Sequence, residues 1–261
     1  MKNQVFISVL SPSIRPEMMG IVAKCLSRQD IVPRFEWIIG TRKELKSKMV
    51  KNIKSNIKYT ILEDPPKRRG DFWKLCGSWN NLYAHAKGEL IVNIQDGIWF
   101  PADTLSRYWF HYQQNPKALI SAIGHQYKDL DEYGKPINLV WSDPRWRGDV
   151  SFQEVPPSEM EMVMCSIPKQ AILECGGIDE EYDTCNGAQE KEMCFRLRKL
   201  GWEFYVDYTI EYRAIHHPRL SEDWDKVYKE KTTPLFVRHM NELENGTRIL
   251  NVDNILKYVL K

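Results

Sequence analysis

WNNLYAHAKGELIVNIQDGIWFP, residues 79–101, decides the fold. Its first residues continue a helical pattern that runs from Phe72 to Ala86, and Gly88 breaks it. Leu90 to Ile94 is then a short, mostly apolar run with Asn93 within it, too short for a helix and suited to a strand buried on both faces. Gln95-Asp96-Gly97 turns the chain, and Pro101 opens another helix that reaches about Gln114. Helix, buried strand, polar turn and helix form the repeating unit of a parallel sheet. Such sheets bind ligands outside the carboxyl ends of their strands, so Asp96 is placed at a binding mouth.

The same alternation continues outward. Val5 to Leu10 reads as a buried strand, and Arg15-Pro16-Glu17 opens a helix with Met19, Val22, Ala23 and Leu26 on one face. Phe35 to Ile39 and Lys58 to Leu62 are further strands, separated by a basic helix over 43–54. Ala118 to Ile123 is a fifth strand. Residues 124–160 are rich in Asp, Pro, Trp and Arg with little periodicity, which predicts a long functional loop ordered by its tryptophans. Beyond it, Met160 to Ser166 reads as a strand, and Pro168 to Cys175 and Glu190 to Leu200 as helices, the latter closed by Gly201. Glu203 to Val206 and Thr209 to Ile215 read as two final strands. The fold class is α/β: an open, mostly parallel, Rossmann-like sheet flanked by helices. Residues 1–217 form the main domain, in two halves over 1–123 and 124–217. Residues 218–261 form a polar helical extension, broken at Pro234 and a candidate surface for self-association.

Composition narrows the class. With 43% hydrophobic and 11% aromatic residues, the 261-residue chain can bury a sizeable core, which excludes wholesale disorder. Lys and Arg number 37 against 35 Asp and Glu, a net charge of +2 that argues against a dedicated nucleic-acid binder. There is no apolar run of about 18 residues to span a bilayer. The six cysteines form no C-x-x-C pair, which points to free thiols in a reducing cytoplasm, with a peripheral place at the membrane left open.

Four segments, in order and spacing, resemble glycosyltransferase family 2. They are FISVLSPSIRPEMMGIVAKCLSRQ (6–29), FEWIIG (35–40), the stretch at 79–101, and GGIDEEYDTCNGAQEKEMCFRLRKLGWEF (176–204). The resemblance covers roughly residues 4–217. It implies the GT-A fold, with a nucleotide-binding half over 1–123 and an acceptor and catalytic half over 124–217, and an inverting, divalent-metal-dependent transfer of a sugar from a nucleoside diphosphate sugar, foremost a UDP-sugar, to an acceptor hydroxyl.

By that resemblance, the family's Asp-x-Asp falls on Ile94-Gln95-Asp96, so only its last carboxylate survives. Asp96 becomes the ligand for Mn²⁺ or Mg²⁺, with Gln95 taking a polar contact to the donor. Hard cations favour carboxylate oxygens, and a divalent ion on a diphosphate stabilises it as a leaving group. One carboxylate holds a metal poorly, so a histidine at the end of the last strand completes the site. His216 and His217 are both candidates, and alternation along a strand lets only one face it. Anchoring on Arg196-Leu197 aligns the family's acidic pair with Gln189-Glu190, which makes Glu190 the general base and leaves Glu192 as the next acid. Ser11, Pro12 and Ser13 stand where the family cradles the nucleotide base. The second strand ends Gly40-Thr41-Arg42 in place of the family's acidic turn, so Thr41 and Asp64 are the remaining candidates there. Arg15, Arg69 and Lys74 are candidates for phosphate contacts. Trp141, Arg145 and Trp146, with Asp143 and Arg147 in the same loop, lie where relatives bind the acceptor, and aromatic faces stack on sugars.

Two other classes stay open. A nucleotidyltransferase shares the sheet and the metal, but usually opens with a glycine-rich loop that Ser11-Pro12-Ser13-Ile14-Arg15-Pro16-Glu17 lacks. A GT-A domain that only binds would also explain the reduced Asp-x-Asp. The acceptor, whether a glycan, a protein or modified DNA, is not written in these motifs.

Overall fold

The computed structural model describes residues 5–30, 34–71, 73–131, 133, 135–148, 150–216, 223–248 and 250–260. In chain order the elements are β1 (Ile7–Pro12), α1 (Met19–Leu26), β2 (Phe35–Thr41), α2 (Lys46–Asn52), β3 (Tyr59–Glu63), α3 (Leu75–His85), β4 (Leu90–Ile94), β5 (Ile98–Trp99) and α4 (Thr104–Gln114). There follow β6 (Ala118–Leu130), β7 (Pro136–Ser142), β8 (Phe152–Glu154), β9 (Met164–Pro168), α5 (Lys169–Cys175), α6 (Gln189–Lys199), β10 (Glu203–Ile215), α7 (Trp224–Val227), α8 (Thr233–Glu244) and α9 (Asp253–Leu256). The sheet runs β3-β2-β1-β4-β9-β6-β10-β5, with β7 added to β6 and β8 to β10. β1 pairs in parallel with both β2 and β4. The strand order therefore reverses between β1 and β4, which makes the carboxyl ends of these two strands the binding crevice of an open sheet.

Burial explains the central strands. β1 and β4 are buried along their whole length and have apolar side chains on both faces. One face carries a core around Trp79, Tyr83, Tyr182 and Phe204, under α3, α5 and α6. The other packs Trp37, Met19, Phe100 and Tyr108 under α1, α2 and α4. Gly88 is needed where α3 returns to β4, since a Cβ there would lie 2.5 Å from the Ser8 nitrogen.

Three expectations change. Residues 124–160 are not one irregular loop: β6 continues to Leu130 and pairs with β7 as an antiparallel hairpin. Leu139, Val140 and Trp141 of β7 are exposed, so backbone pairing holds this strand and no burial pattern announces it. The two final strands are one, β10, with a register shift between Val206 and Glu211 where it crosses β6. Pro234 does not break the tail. It sits in the first turn of α8 directly after a π-helical stretch, Tyr228–Thr232, whose wider turn accommodates a residue with no N–H to donate. The boundary expected at 217–218 lies outside the described residues. Among those residues, no helix is long and apolar enough to cross a membrane.

α3 joins the two halves. Its first amides, Cys76 N–H and Gly77 N–H, donate to the buried Asp183 carboxylate at 2.8 and 3.1 Å. One turn later, Asn80 Oδ1 accepts from Ile178 N–H (2.9 Å) while its Nδ2 donates to Ile178 O (2.7 Å). Gly177 makes room for this contact: a Cβ there would meet Asn80 Oδ1 at 2.5 Å, and its φ is +73°. Asn80→Ala should therefore strand the buried Ile178 N–H and cost about 2–3 kcal/mol. A urea denaturation series should show the midpoint fall with an unchanged slope. An unchanged midpoint would mean the clamp is not a source of stability.

Candidate active site

The crevice is lined by the turns that follow β1, β2, β3 and β4, and hydrogen bonds tie these turns together. Ser13 N–H donates to Gly40 O (2.8 Å), Thr41 Oγ1 to Ser13 O (2.7 Å), and Asp64 N–H to Thr41 O (2.8 Å). Ser78 Oγ, from α3, donates to Asp64 Oδ1 at 2.6 Å. Burial pushes the Asp64 carboxyl up to about 6 against the opposing pull of the Ser78 hydrogen bond. Several hydroxyls proposed for the nucleotide are turned inward. Ser11 Oγ accepts from Trp37 Nε1 (3.1 Å), and both Ser11 and Thr41 are fully buried. Pro12 is also buried. Ser13 and Arg15 touch Asp96, while Asp64 joins the same run of turns through Thr41 O.

Asp96 follows β4 and is 8% exposed. Its Oδ2 accepts from Ser13 Oγ (2.6 Å) and Arg15 Nε (3.2 Å), and its Oδ1 pairs with Arg15 Nη2. Gln95 N–H donates to Val163 O (3.0 Å), which fastens this turn to the segment leading into β9. Ile215 N–H donates to Gly97 O (3.0 Å), so the end of β10 lies against the same turn. His216, next in the chain, is exposed and its Nδ1 meets Gln126 Oε1 at 3.0 Å. His217 lies outside the described residues.

Lys74 is drawn elsewhere. Its Nζ lies 3.4 Å from Asp183, 3.6 Å from Glu180 and 3.7 Å from Asp71, so it neutralises the acidic end of the Gly176–Asp183 segment. Arg69 is exposed.

Across the crevice, α6 begins after Gly187 and Ala188, both at positive φ. Glu190 stands in its first turn, half-buried. Burial first, and then the charge of Glu161, push its carboxyl up to about 7; a hydrogen bond from Met162 N–H and the charge of Lys191 oppose the shift. Glu161-Met162-Val163 thus touches both sides, with one backbone group on Gln95 and another on Glu190. Burial also raises Glu161. Neither periodicity nor a motif singles out Glu161 in the sequence; only the folded backbone brings it to Glu190. Glu192 points the other way, fully buried, where Arg196 Nε and Nη2 hold it at 2.8 and 2.9 Å and Arg248 Nε reaches it at 3.2 Å.

Arg145 is a staple. It donates to Asp143 (2.6 Å), Ser121 Oγ (3.2 Å), Glu159 O (2.8 Å) and Ala122 O (3.2 Å), which leaves no idle fork for an acceptor. Trp141 and Trp146 are 45% and 51% exposed on the same side chain-rich hairpin and loop. Arg147 is exposed and donates to Gln153.

Among the described residues, Asp179, Glu181 and His239 form one group whose ligand atoms lie within 4.8 Å of one another. Arg248 pairs with Asp179 and Arg238 with Glu181 (2.5 Å), so both carboxylates already hold guanidinium groups from the tail. The tail also places Thr232 Oγ1 on Asn186 O (2.5 Å) and Asn254 Nδ2 on Gly176 O (2.8 Å), which spends its inner face on the chain's own second half.

No protein-family model and no curated protein matches the chain. Solved structures do. Residues 1–349 of S. aureus TarS in complex with UDP-GlcNAc superpose with a TM-score of 0.57 at 14% identity, over 98% of this chain and 72% of that one. The longer S. aureus TarS structure gives 0.58 at 15% identity, over 98% of this chain and 42% of that one. GalNAc-T7 with UDP, GalNAc and Mn²⁺ gives 0.61 at 12% identity, over 100% of this chain and 57% of that one. The chain therefore has the GT-A glycosyltransferase fold.

The raised Glu190 carboxyl has a consequence for stability. Its folded value, about 7, lies above the ordinary 4.5, so the folded state binds the proton more tightly. Its contribution is full below about pH 4.5 and is lost as pH rises through 7. Glu190→Gln, which never carries the charge, should be more stable than wild type at pH 8 by on the order of 1–2 kcal/mol, allowing for solvent screening, and equal to it near pH 4. Thermal melts across this range test the sign; a gap that does not change with pH contradicts it.

Proposed function

We propose that the protein is an inverting, metal-dependent transferase of glycosyltransferase family 2 that moves a sugar from a nucleoside diphosphate sugar, foremost a UDP-sugar, to an acceptor hydroxyl. The observation that carries this reading is the pairing across one crevice: Asp96 at the β1/β4 switch point, and a carboxyl near pH 7 at Glu190, joined by the 161–163 segment. The base and ribose of the donor lie over the turns after β1, β2 and β3, where Ser13 and Asp64 offer polar contacts. The acceptor lies toward the exposed Trp141 and Trp146.

Asp96 suits a divalent cation. The Arg15 guanidinium on it supports reading it as a carboxylate that holds positive charge, and Ile215 N–H on Gly97 O brings the end of β10, with His216 next in the chain, to the same turn. Asp96 and either His216 or His217 would hold Mn²⁺ or Mg²⁺, which when bound supplies Lewis-acid stabilisation of the departing diphosphate. Glu190 takes the proton of the acceptor hydroxyl while that oxygen forms its bond to the anomeric carbon. The bond from that carbon to the diphosphate oxygen breaks, and the nucleoside diphosphate leaves. A base near pH 7 is matched to this task at neutral pH.

Glu190→Gln keeps the size and polarity of the side chain but cannot accept the proton. It should lower turnover by on the order of 10²–10⁴ with donor affinity nearly unchanged. Nucleoside diphosphate release measured with a panel of UDP-sugars and Mn²⁺, alongside calorimetric donor binding, separates the two effects. Full turnover in Glu190→Gln would place the base elsewhere. Donor binding without turnover in the wild-type protein would favour a domain that only binds.

A further inference from the structure

The turn after β1 is built to aim cations at Asp96. Arg15 N–H donates to Ser13 Oγ (3.0 Å), Ser13 N–H is anchored on Gly40 O, and Ser13 Oγ donates onward to Asp96 Oδ2. The Arg15 guanidinium then covers both carboxylate oxygens, Nε on Oδ2 and Nη2 on Oδ1. Its side chain is 22% exposed and that of Asp96 5%, so this is a largely desolvated pair and not a loose surface contact. A carboxylate offers about four lone-pair sites, and three are taken here. A guanidinium in that place also repels any second cation. Asp96 cannot keep Arg15 and serve a divalent ion at the same time.

We propose that Arg15 is the resident cation of the donor site: it holds Asp96 in the metal-free protein and transfers to the donor's diphosphate when Asp96 takes up a divalent ion. This rests on the reading of Asp96 as a metal ligand. The guanidinium fork suits either partner, since it matches carboxylate and phosphate oxygens alike. The exchange makes the metal and the nucleotide depend on each other. A divalent ion arriving alone must break the Arg15–Asp96 pair with nothing for the guanidinium to gain. With the nucleotide present, Arg15 passes from one anion to another. By linkage, the factor by which nucleotide strengthens metal binding equals the factor by which metal strengthens nucleotide binding.

The test is a titration of Mn²⁺, followed by its electron paramagnetic resonance, into wild type, Arg15→Gln, Arg15→Met, Arg15→Lys and Asp96→Asn, each with and without UDP. Circular dichroism checks that each variant is folded, and Gln and Met give two independent neutral replacements. Without UDP, Arg15→Gln and Arg15→Met should bind Mn²⁺ roughly tenfold to a hundredfold more tightly than wild type, the range expected for releasing a charge-assisted pair. Arg15→Lys should stay near wild type, and Asp96→Asn should lose the site. The strengthening of Mn²⁺ binding by UDP should shrink in the neutral variants. Equal Mn²⁺ affinity in wild type and both neutral variants, still abolished by Asp96→Asn, would overturn the exchange and leave Asp96 as a metal ligand. Mn²⁺ binding that never depends on Asp96, even with UDP, would overturn both.

Discussion

Asp183 and Asn80 hold the two halves of the protein in register, and the geometry of the crevice depends on them. Asp183 receives the first amides of α3, and Asn80 reads both backbone groups of Ile178. α3 packs on β1 and β2 and ends at His85, and Gly88 then returns the chain into β4 and so to Asp96. Asp183 lies seven residues before Glu190, with Thr184, the buried Cys185 and Asn186 and two positive-φ residues between it and α6. A helix packed on β1 and β2 and hydrogen-bonded at its first turns to the Gly176–Asp183 segment leaves little freedom in the separation of Asp96 and Glu190. Unsatisfied buried polar groups are costly, which is why such a joint is stiff.

Charge is distributed on the same plan. Lys74, Arg196 and Arg248 are drawn into buried acids of the second half and neutralise Asp183, Glu192 and Asp179. Glu190 and Glu161 face each other's charge across a short gap, and Arg145 is occupied by Asp143 and three further acceptors. A carboxyl with a like charge beside it and few donors keeps its proton to higher pH. The segment that delivers Glu161 also delivers the Met162 amide, so the backbone partly offsets what the side chain imposes. Tyr212 packs flat over Gly124 beneath this region, where any Cβ would collide with its ring. The surface there is therefore shaped by an aromatic ring that only a glycine in β6 admits.

The first half of the fold was legible in the sequence because strands buried on both faces read as mostly apolar runs, as in Leu90–Ile94 with its single Asn93. The placement of Asp96 at a strand end and of Glu190 in the first turn of α6 was legible because both positions are fixed by spacing from Gly88 and Arg196-Leu197. The β6–β7 hairpin was not, because Leu139, Val140 and Trp141 face solvent and carry no period that burial imposes. The two predicted strands at 203–215 were split by Asp207-Tyr208, where the register shift interrupts alternation without ending β10. Side-chain direction was the main loss at the site. Ser11 and Thr41 stand at the expected strand ends, yet their hydroxyls close bonds inside the protein. Lys74 stands at the head of α3, but three acids pull it away from the crevice.

The central claim is that the crevice between β1 and β4 is a nucleotide-sugar site facing Glu190. A crystal structure of the wild-type protein with UDP and Mn²⁺ tests it most directly. The expected result places the uracil and ribose over the turns at Ser13 and Asp64, with the diphosphate and the ion at Asp96. UDP bound away from this edge, or Mn²⁺ held by groups other than Asp96, would contradict it.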